Sequence, residues 1–152
     1  MKIVKKTIFI LILISITSCG YEPIFSKRDG VITPIKSFQI IGDKRINKKI
    51  ISALNINAKE QVGAYELIIN SSKSIETISR DNTGRSSSFK TEITVLVSLM
   101  TGDKVHKKQN FASDFIYNNI KSKFDLSQYQ QDIEANLIDI IIEEISIFLM
   151  LN

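Results

Sequence analysis

Between Phe89 and Met100 the sequence FKTEITVLVSLM alternates apolar and polar side chains. Successive side chains of a strand point to opposite faces. This period therefore sets Phe89, Ile93, Val95, Val97 and Leu99 on one face, with Lys90, Glu92, Thr94 and Ser98 on the other. One dry face demands a layer packed upon it, and the strand needs neighbours for its backbone groups. Turn signals on both sides supply the neighbours: Asp81-Asn82-Thr83-Gly84 before the run and Thr101-Gly102-Asp103 after it. The preceding strand runs from Tyr65 to Ser79, with Tyr65, Leu67, Ile69 and Ile75 on one face and Glu66, Asn70, Ser72 and Glu76 on the other. The following strand, Lys104 to Tyr117, sets Val105, Phe111, Phe115 and Tyr117 against Lys104, His106, Lys108 and Asn110.

Helices provide the packing layer. Gly42-Asp43 makes a turn and an N-cap, and Ile46, Ile50, Ile51 and Leu54 then recur at helical spacing over about three turns. Lys44, Arg45, Lys48 and Lys49 lie largely off that stripe and read as a solvated face. A short strand, Ile35 to Ile41, precedes this helix, with Phe38 and Ile40 on one side. The last element is a helix from Leu126 to Leu149, with Ser127 as its cap and a stripe of Ile133, Leu137, Ile140, Ile141 and Phe148. Asp139, Glu143 and Glu144 break its apolar run, so it reads as a core helix, not a membrane span, with apolar width to spare for a sheet or a second protein. The order is strand, helix, three antiparallel strands, helix. The expected class is α+β, a two-layer sandwich with both helices on one face of a mostly antiparallel sheet over residues 35–152.

The amino-terminal residues address the chain. Lys2, Lys5 and Lys6 precede an apolar stretch from Ile8 to Ile16, of the length of a secretory signal and too short to span a bilayer. An uncleaved anchor would have to add Ile3 and Val4, and the three lysines Lys2, Lys5 and Lys6 argue against it. Ile16-Thr17-Ser18-Cys19-Gly20 then resembles the lipobox of bacterial lipoproteins, and Cys19 is the one cysteine of the chain. The expectation is a signal peptide over residues 1–18 that is removed, and Cys19 carrying S-diacylglycerol and an N-acyl chain. Several acyl chains anchor firmly where one does so marginally. Residues 19–34, with Pro23, Gly30 and Pro34, read as a lipidated tether. The alternative is a plain signal peptide followed by an incidental cysteine.

The charge balance depends on that processing. The whole chain carries 20 basic and 16 acidic residues, a net of +4. Without residues 1–18 there remain 17 basic against 16 acidic, so the excess that would suggest nucleic acid belongs to the targeting segment. One cysteine excludes a disulfide framework and multi-thiolate metal sites. No Gly-rich phosphate loop is present. His106 lies in an alternating basic strand start, Ser86-Ser87-Ser88 has no base near it in sequence, and Glu143 and Glu144 project about 100° apart on a helix. No catalytic residue, metal or cofactor is expected; an envelope hydrolase would need a base and nucleophile that the sequence does not cluster. Arg80, Arg85 and Lys90 flank the Asp81–Gly84 turn and are candidates for an anion contact such as lipid phosphate, or else ordinary solubilising charge and edge protection.

Cys19-Gly20-Tyr21-Glu22-Pro23-Ile24-Phe25 resembles the opening of the LptE family of lipopolysaccharide-assembly lipoproteins, especially its alphaproteobacterial forms. The element order, mature length and terminal helix after the Tyr117 strand are similar too. The resemblance implies an outer-membrane lipoprotein seated in an LptD β-barrel, assisting barrel assembly and delivery of lipopolysaccharide to the outer leaflet. It implies Gly20 as a residue permitting outer-membrane sorting, and an LptD-like barrel as the partner, with lipopolysaccharide as a further one. It supplies no signature for the lipopolysaccharide-contacting residues, so Arg80, Arg85 and Lys90 stand as candidates from the sequence alone. A lipid-anchored periplasmic adaptor of another envelope complex fits the same fold logic.

Overall fold

The structure is a computed structural model that describes residues 33–56 and 64–151. Its elements follow the order β1 (Ile35–Gly42), α1 (Lys44–Ala53), β2 (Tyr65–Arg80), β3 (Ser86–Thr101), β4 (Lys104–Asn118) and α2 (Lys123–Met150). The signal segment 1–18, Cys19 and the tether as far as residue 32 lie outside the described residues.

The four strands form one sheet in the order β1-β2-β3-β4. The pairs β2–β3 and β3–β4 are antiparallel, as the short turns require, whereas β1 runs parallel to β2. A helix between two neighbouring strands returns the chain to the end it started from, so α1 makes β1 and β2 parallel. Both helices pack on one face: α1 against β1 and β2, α2 against β3 and β4, and each against the other. The α+β two-layer reading holds. Ile93, Val95, Val97 and Leu99 of the central strand are wholly buried beneath the helices, together with Leu67 and Ile69 of β2, Ile46 and Ile50 of α1, and Ile141 and Ile145 of α2.

The link from β1 to α1 is tight. Gly42 adopts φ +86°, and a Cβ there would fall 1.9 Å from the backbone oxygen of Ser71 on β2. Glycine is therefore required both by conformation and by the approach of the two chains. Asp43 follows as the helix cap, its Oδ1 accepting from the amides of Arg45 at 2.9 Å and Ile46 at 3.1 Å.

Three local expectations change. The terminal helix starts earlier: Ser122 is its cap, with Oγ accepting from the Asp125 amide at 3.3 Å, and Ser127 lies inside the helix. Asp125 in the first turn complements the positive end of the helix dipole. Ile140 is 48% exposed, while Ile138, Ile142, Ile145 and Leu149 are buried. The helix meets both the sheet and α1, which centres its buried arc beside the narrow stripe read from the sequence.

Val105 is displaced as well. Leu99 pairs with Lys107 but Met100 pairs with Val105, so His106 is an extra residue and the strand's phase shifts there. Val105 ends up 57% exposed. Lys107 takes a helix-side position, its Nζ donating to the Phe148 carbonyl at 2.9 Å and lying 4.4 Å from the centre of that ring. Ile75 and Phe115 lie on the helix side as expected, yet both are exposed. At about 1.5 Å per residue α1 is far shorter than β2 at about 3.3 Å per residue, so the outer part of β2 projects beyond it. From Ser72 to Arg80 every β2 residue is exposed.

Candidate functional site

The sheet's second face carries no helix. Its rows run Gln39–Ile68–Ser98–Lys108, Ile41–Asn70–Leu96–Asn110, Ser72–Thr94–Ala112 and Ser74–Glu92–Asp114 across the strands. The face is thus mostly amide, hydroxyl and charge, with Ile68 and Leu96 half-buried in its middle. Beyond Ser71 the β2–β3 hairpin projects past β1, and its turn forms one end of the molecule's long axis of strands.

The basic candidates fall at two places in this region. Arg80 and Arg85 flank the turn. Arg80 Nη1 donates to the Gly84 carbonyl at 2.9 Å, and the Arg85 amide donates to the Asp81 carboxylate at 2.9 Å. Asp81 organises the turn: its Oδ1 also accepts from the Thr83 hydroxyl at 2.6 Å and the Thr83 amide at 2.8 Å. The Thr83 hydroxyl bond, then the Arg85 amide, hold the Asp81 carboxyl below the usual aspartate value.

Lys90 stands further in, paired across from Glu76, whereas Arg80 pairs across from Ser86. Its Nζ donates to Glu92 Oε2 at 3.2 Å and lies 3.9 Å from Asp114 Oδ2. The Glu92 hydrogen bond foremost, with the charges of Asp114, Glu92 and Glu76, raises the Lys90 ammonium above its ordinary value. An ammonium among three carboxylates is already committed, and any incoming anion would meet net negative charge beside it. The structure therefore brings Arg80 and Arg85 together at the turn and keeps Lys90 apart from them.

The groups weighed for chemistry have other work. His106 stacks on Tyr65 with ring centroids 4.7 Å apart, its Nε2 3.3 Å from the Tyr65 hydroxyl. Ser87 and Ser88 share hydrogen bonds with Ser79 at 2.6 and 2.7 Å, and Ser86 with Thr77 at 3.0 Å, a hydroxyl ladder across the hairpin. Among the described residues no group of three or more His, Cys, Asp or Glu is placed to hold a metal ion. No helix among them is long and apolar enough to cross a membrane.

Two features were not singled out from the sequence. Glu134 is buried between the helices and the sheet, with Arg45 of α1 on its carboxylate and Lys73 Nζ of β2 2.9 Å from its Oε2. The signal was present, since position 134 falls within the arc of Leu137, Ile138 and Ile141. The second is a groove of about 570 Å³ between β1 and α1, lined in part by Phe38, Ile40, Asn47 and Ile51. Nothing in an exposed Phe or Ile on a short strand announces a groove before the helix is placed.

The crystal structure of rare lipoprotein B from Shewanella oneidensis superposes with a TM-score of 0.54, covering 72% of this chain and 89% of that one at 11% identity. The fold is that of rare lipoprotein B. A minor lipoprotein from Acinetobacter baumannii gives 0.55, with 76% and 90% covered at 13% identity. Lipoprotein B from Nitrosomonas europaea, solved by NMR, also gives 0.55, with 78% and 85% covered at 14% identity. No family model matches the sequence, and no curated protein does. At these identities the likeness is one of fold, and it spans nearly the whole of each neighbour.

Proposed function

We propose that this chain is a lipid-anchored envelope protein of the LptE kind, docked within an LptD-like outer-membrane β-barrel and serving lipopolysaccharide transport. The observation that carries the reading is the shared fold with rare lipoprotein B, which is LptE. It is joined by the resemblance of the sequence around the one cysteine to a lipobox. In this reading Cys19 bears the acyl chains, residues 20–34 lead to the domain, and the domain acts by shape and surface with no catalytic group.

The uncovered sheet face suits such a role. The lumen of an outer-membrane barrel is polar and wet, and a plug meets it best with hydroxyls, amides and paired charges. The face offers these, with Ile41 and Ile116 exposed among them. Contact with lipopolysaccharide phosphate is assigned to Arg80 and Arg85 at the turn, whose guanidinium groups suit bidentate phosphate binding. Lys90, held by Glu92 and Asp114, is the weaker candidate.

Depletion of the protein tests the reading in cells: lipopolysaccharide stalls short of the surface if it holds, and undiminished surface display refutes it. Tagged protein should co-purify with a large barrel, and mass spectrometry of the mature product should find Cys19 acylated. Alanine at Arg80 and Arg85 should weaken binding to lipopolysaccharide micelles more than Lys90→Ala, and equal binding by all variants removes the assignment.

A further inference from the structure

A seam along β4 and the flank of α2 is built to meet a second strand and helix. Among the described residues β4 pairs only with β3, so its outer edge presents backbone groups with no strand to meet. Above that edge α2 carries Tyr129, Ile140, Glu144 and Ile147 along one flank, at helical spacing. Two grooves lie between this flank and β4, one of about 300 Å³ lined in part by Phe115 and Leu137, the other of about 460 Å³ lined in part by Phe111 and Phe148. Phe115, Tyr129, Ile140 and Ile147 are all exposed. An exposed apolar edge is a template for another strand.

Charge selects the strand that fits. Lysine on an open edge discourages pairing unless the incoming strand answers it. On the uncovered face β4 presents Lys108, Asn110, Ala112, Asp114 and Ile116; on the helix side it presents Lys107, Gln109, Phe111, Ser113 and Phe115. Among the described residues Lys108 is in no ion pair, and Asp114 has a single loose one with Lys90 at 3.9 Å. Two copies of β4 laid antiparallel must match face with face, so each residue meets one an even number of positions away. Centred on Phe111, the pair sets Lys108 against Asp114 of the second copy and Asp114 against its Lys108. Gln109 then meets Ser113, Asn110 meets Ala112, and no like charges oppose one another between Lys107 and Phe115. Moving the centre to Asn110 or Ala112 sets Lys108 against Ala112 or Ile116 instead. The other open edge offers no such match, since β1 carries Lys36 and no acidic residue.

The helix layer obeys the same symmetry. Helix α2 packs on both β3 and β4, which places its axis about one strand spacing from a two-fold axis at the β4 edge. With strands about 4.8 Å apart, two such helices lie about 10 Å from each other, the separation of packed helices. Ile140 and Ile147 then leave water for the space between them. Glu144 shares its groove with Lys107, so its charge does not enter that space alone. We propose that two copies of this chain pair through β4, antiparallel about Phe111, to make one continuous sheet with the two α2 helices side by side. The interface uses the same patch on both copies, as a two-fold dimer requires. Any other chain that adds a strand to β4 must displace the second copy. This inference rests on the β4–α2 seam and stands or falls independently of the LptE-like role.

The test is sedimentation equilibrium of the mature chain with Cys19→Ser, which removes both acylation and disulfide formation as causes of association. It should show a reversible dimer, and a chain that stays monomeric up to about 1 mM overturns the proposal. Lys108→Asp sets acidic side chains against each other at both ends of the paired strands, and Asp114→Lys sets basic ones there. Each change should weaken self-association at least about tenfold. Mixed one to one, the two variants regain both opposite-charge pairs and should associate within about threefold of the unaltered chain. A mixture no tighter than either variant alone refutes the register. Both positions are exposed, so neither change disturbs the core, and matching circular dichroism spectra verify this. Ile140→Asp should also weaken the dimer at least about tenfold, because the helix seam closes over that position. Association equal in all the variants assigns the contact to another surface and overturns the pairing.

Discussion

The ion cluster at Glu134 should respond asymmetrically to loss of its members. Glu134 is only 5% exposed, while its partners keep much of their contact with water: the Arg45 side chain is 61% exposed and that of Lys73 is 26% exposed. Glu134→Gln leaves two cations that can rehydrate, and should cost about 1–2 kcal/mol. Arg45→Met or Lys73→Met alone leaves one cation to compensate the carboxylate, at about 0.5–1.5 kcal/mol each. Removing both cations strands a buried carboxylate and should cost about 3–5 kcal/mol, more than the single losses together. The coupling in that cycle should reach about 1 kcal/mol or more. Adding Glu134→Gln to the double variant should restore stability, because a neutral amide no longer needs a counter-charge. Urea unfolding followed by far-ultraviolet circular dichroism, with slopes compared across the set, measures each step. The reasoning fails if the two cation losses are additive, or if Glu134→Gln makes the double variant worse.

Other outcomes follow from local geometry. Gly42→Ala should lose at least about 2 kcal/mol in the same assay, since its Cβ meets Ser71 oxygen, whereas Gly84→Ala, at φ +80° with open space around it, should lose about 1 kcal/mol. Ser122→Ala should destabilise by about 1 kcal/mol and Ser127→Ala by under about 0.5 kcal/mol, which separates the true cap from the residue inside the helix. The Asp81 carboxyl should titrate by NMR with a midpoint below the usual aspartate value, chiefly because of the Thr83 hydroxyl bond. Its folded value being the lower one, the turn's support is present above the unfolded value and lost as pH falls through the folded value, so exchange at Thr83 and Arg85 should rise there and not at neutral pH.

What could be read in advance, and what could not, divides by the range of the forces involved. In β3 each side chain's fate depends on a two-residue period and on a helix layer covering its whole inner face, so the alternation named Ile93, Val95, Val97 and Leu99 correctly. Asp43 as a cap and Gly42 as the turn before it were legible for the same reason: their effects act within three or four residues. Ile75 and Phe115 had the right face but not the burial, because burial there depended on how far α1 and α2 extend over the sheet. In β4 the extra residue His106 shifts the strand's phase, and a bulge depends on the partner strand as much as on its own sequence. The basic residues near Asp81 were identifiable as a set, but whether each was free depended on Glu76, Glu92 and Asp114 arriving across the sheet.

The sequence by itself determined the period of each element, the turns between them and the presence of a single cysteine in a stretch that resembles a lipobox, because these are written in neighbouring residues. Only the tertiary structure decided that β1 runs parallel to β2, that Glu134 is buried between Arg45 and Lys73, and that a groove opens beside Phe38. Each of these requires residues distant in the chain to meet, and the position of a meeting is set by the packing of whole elements against one another.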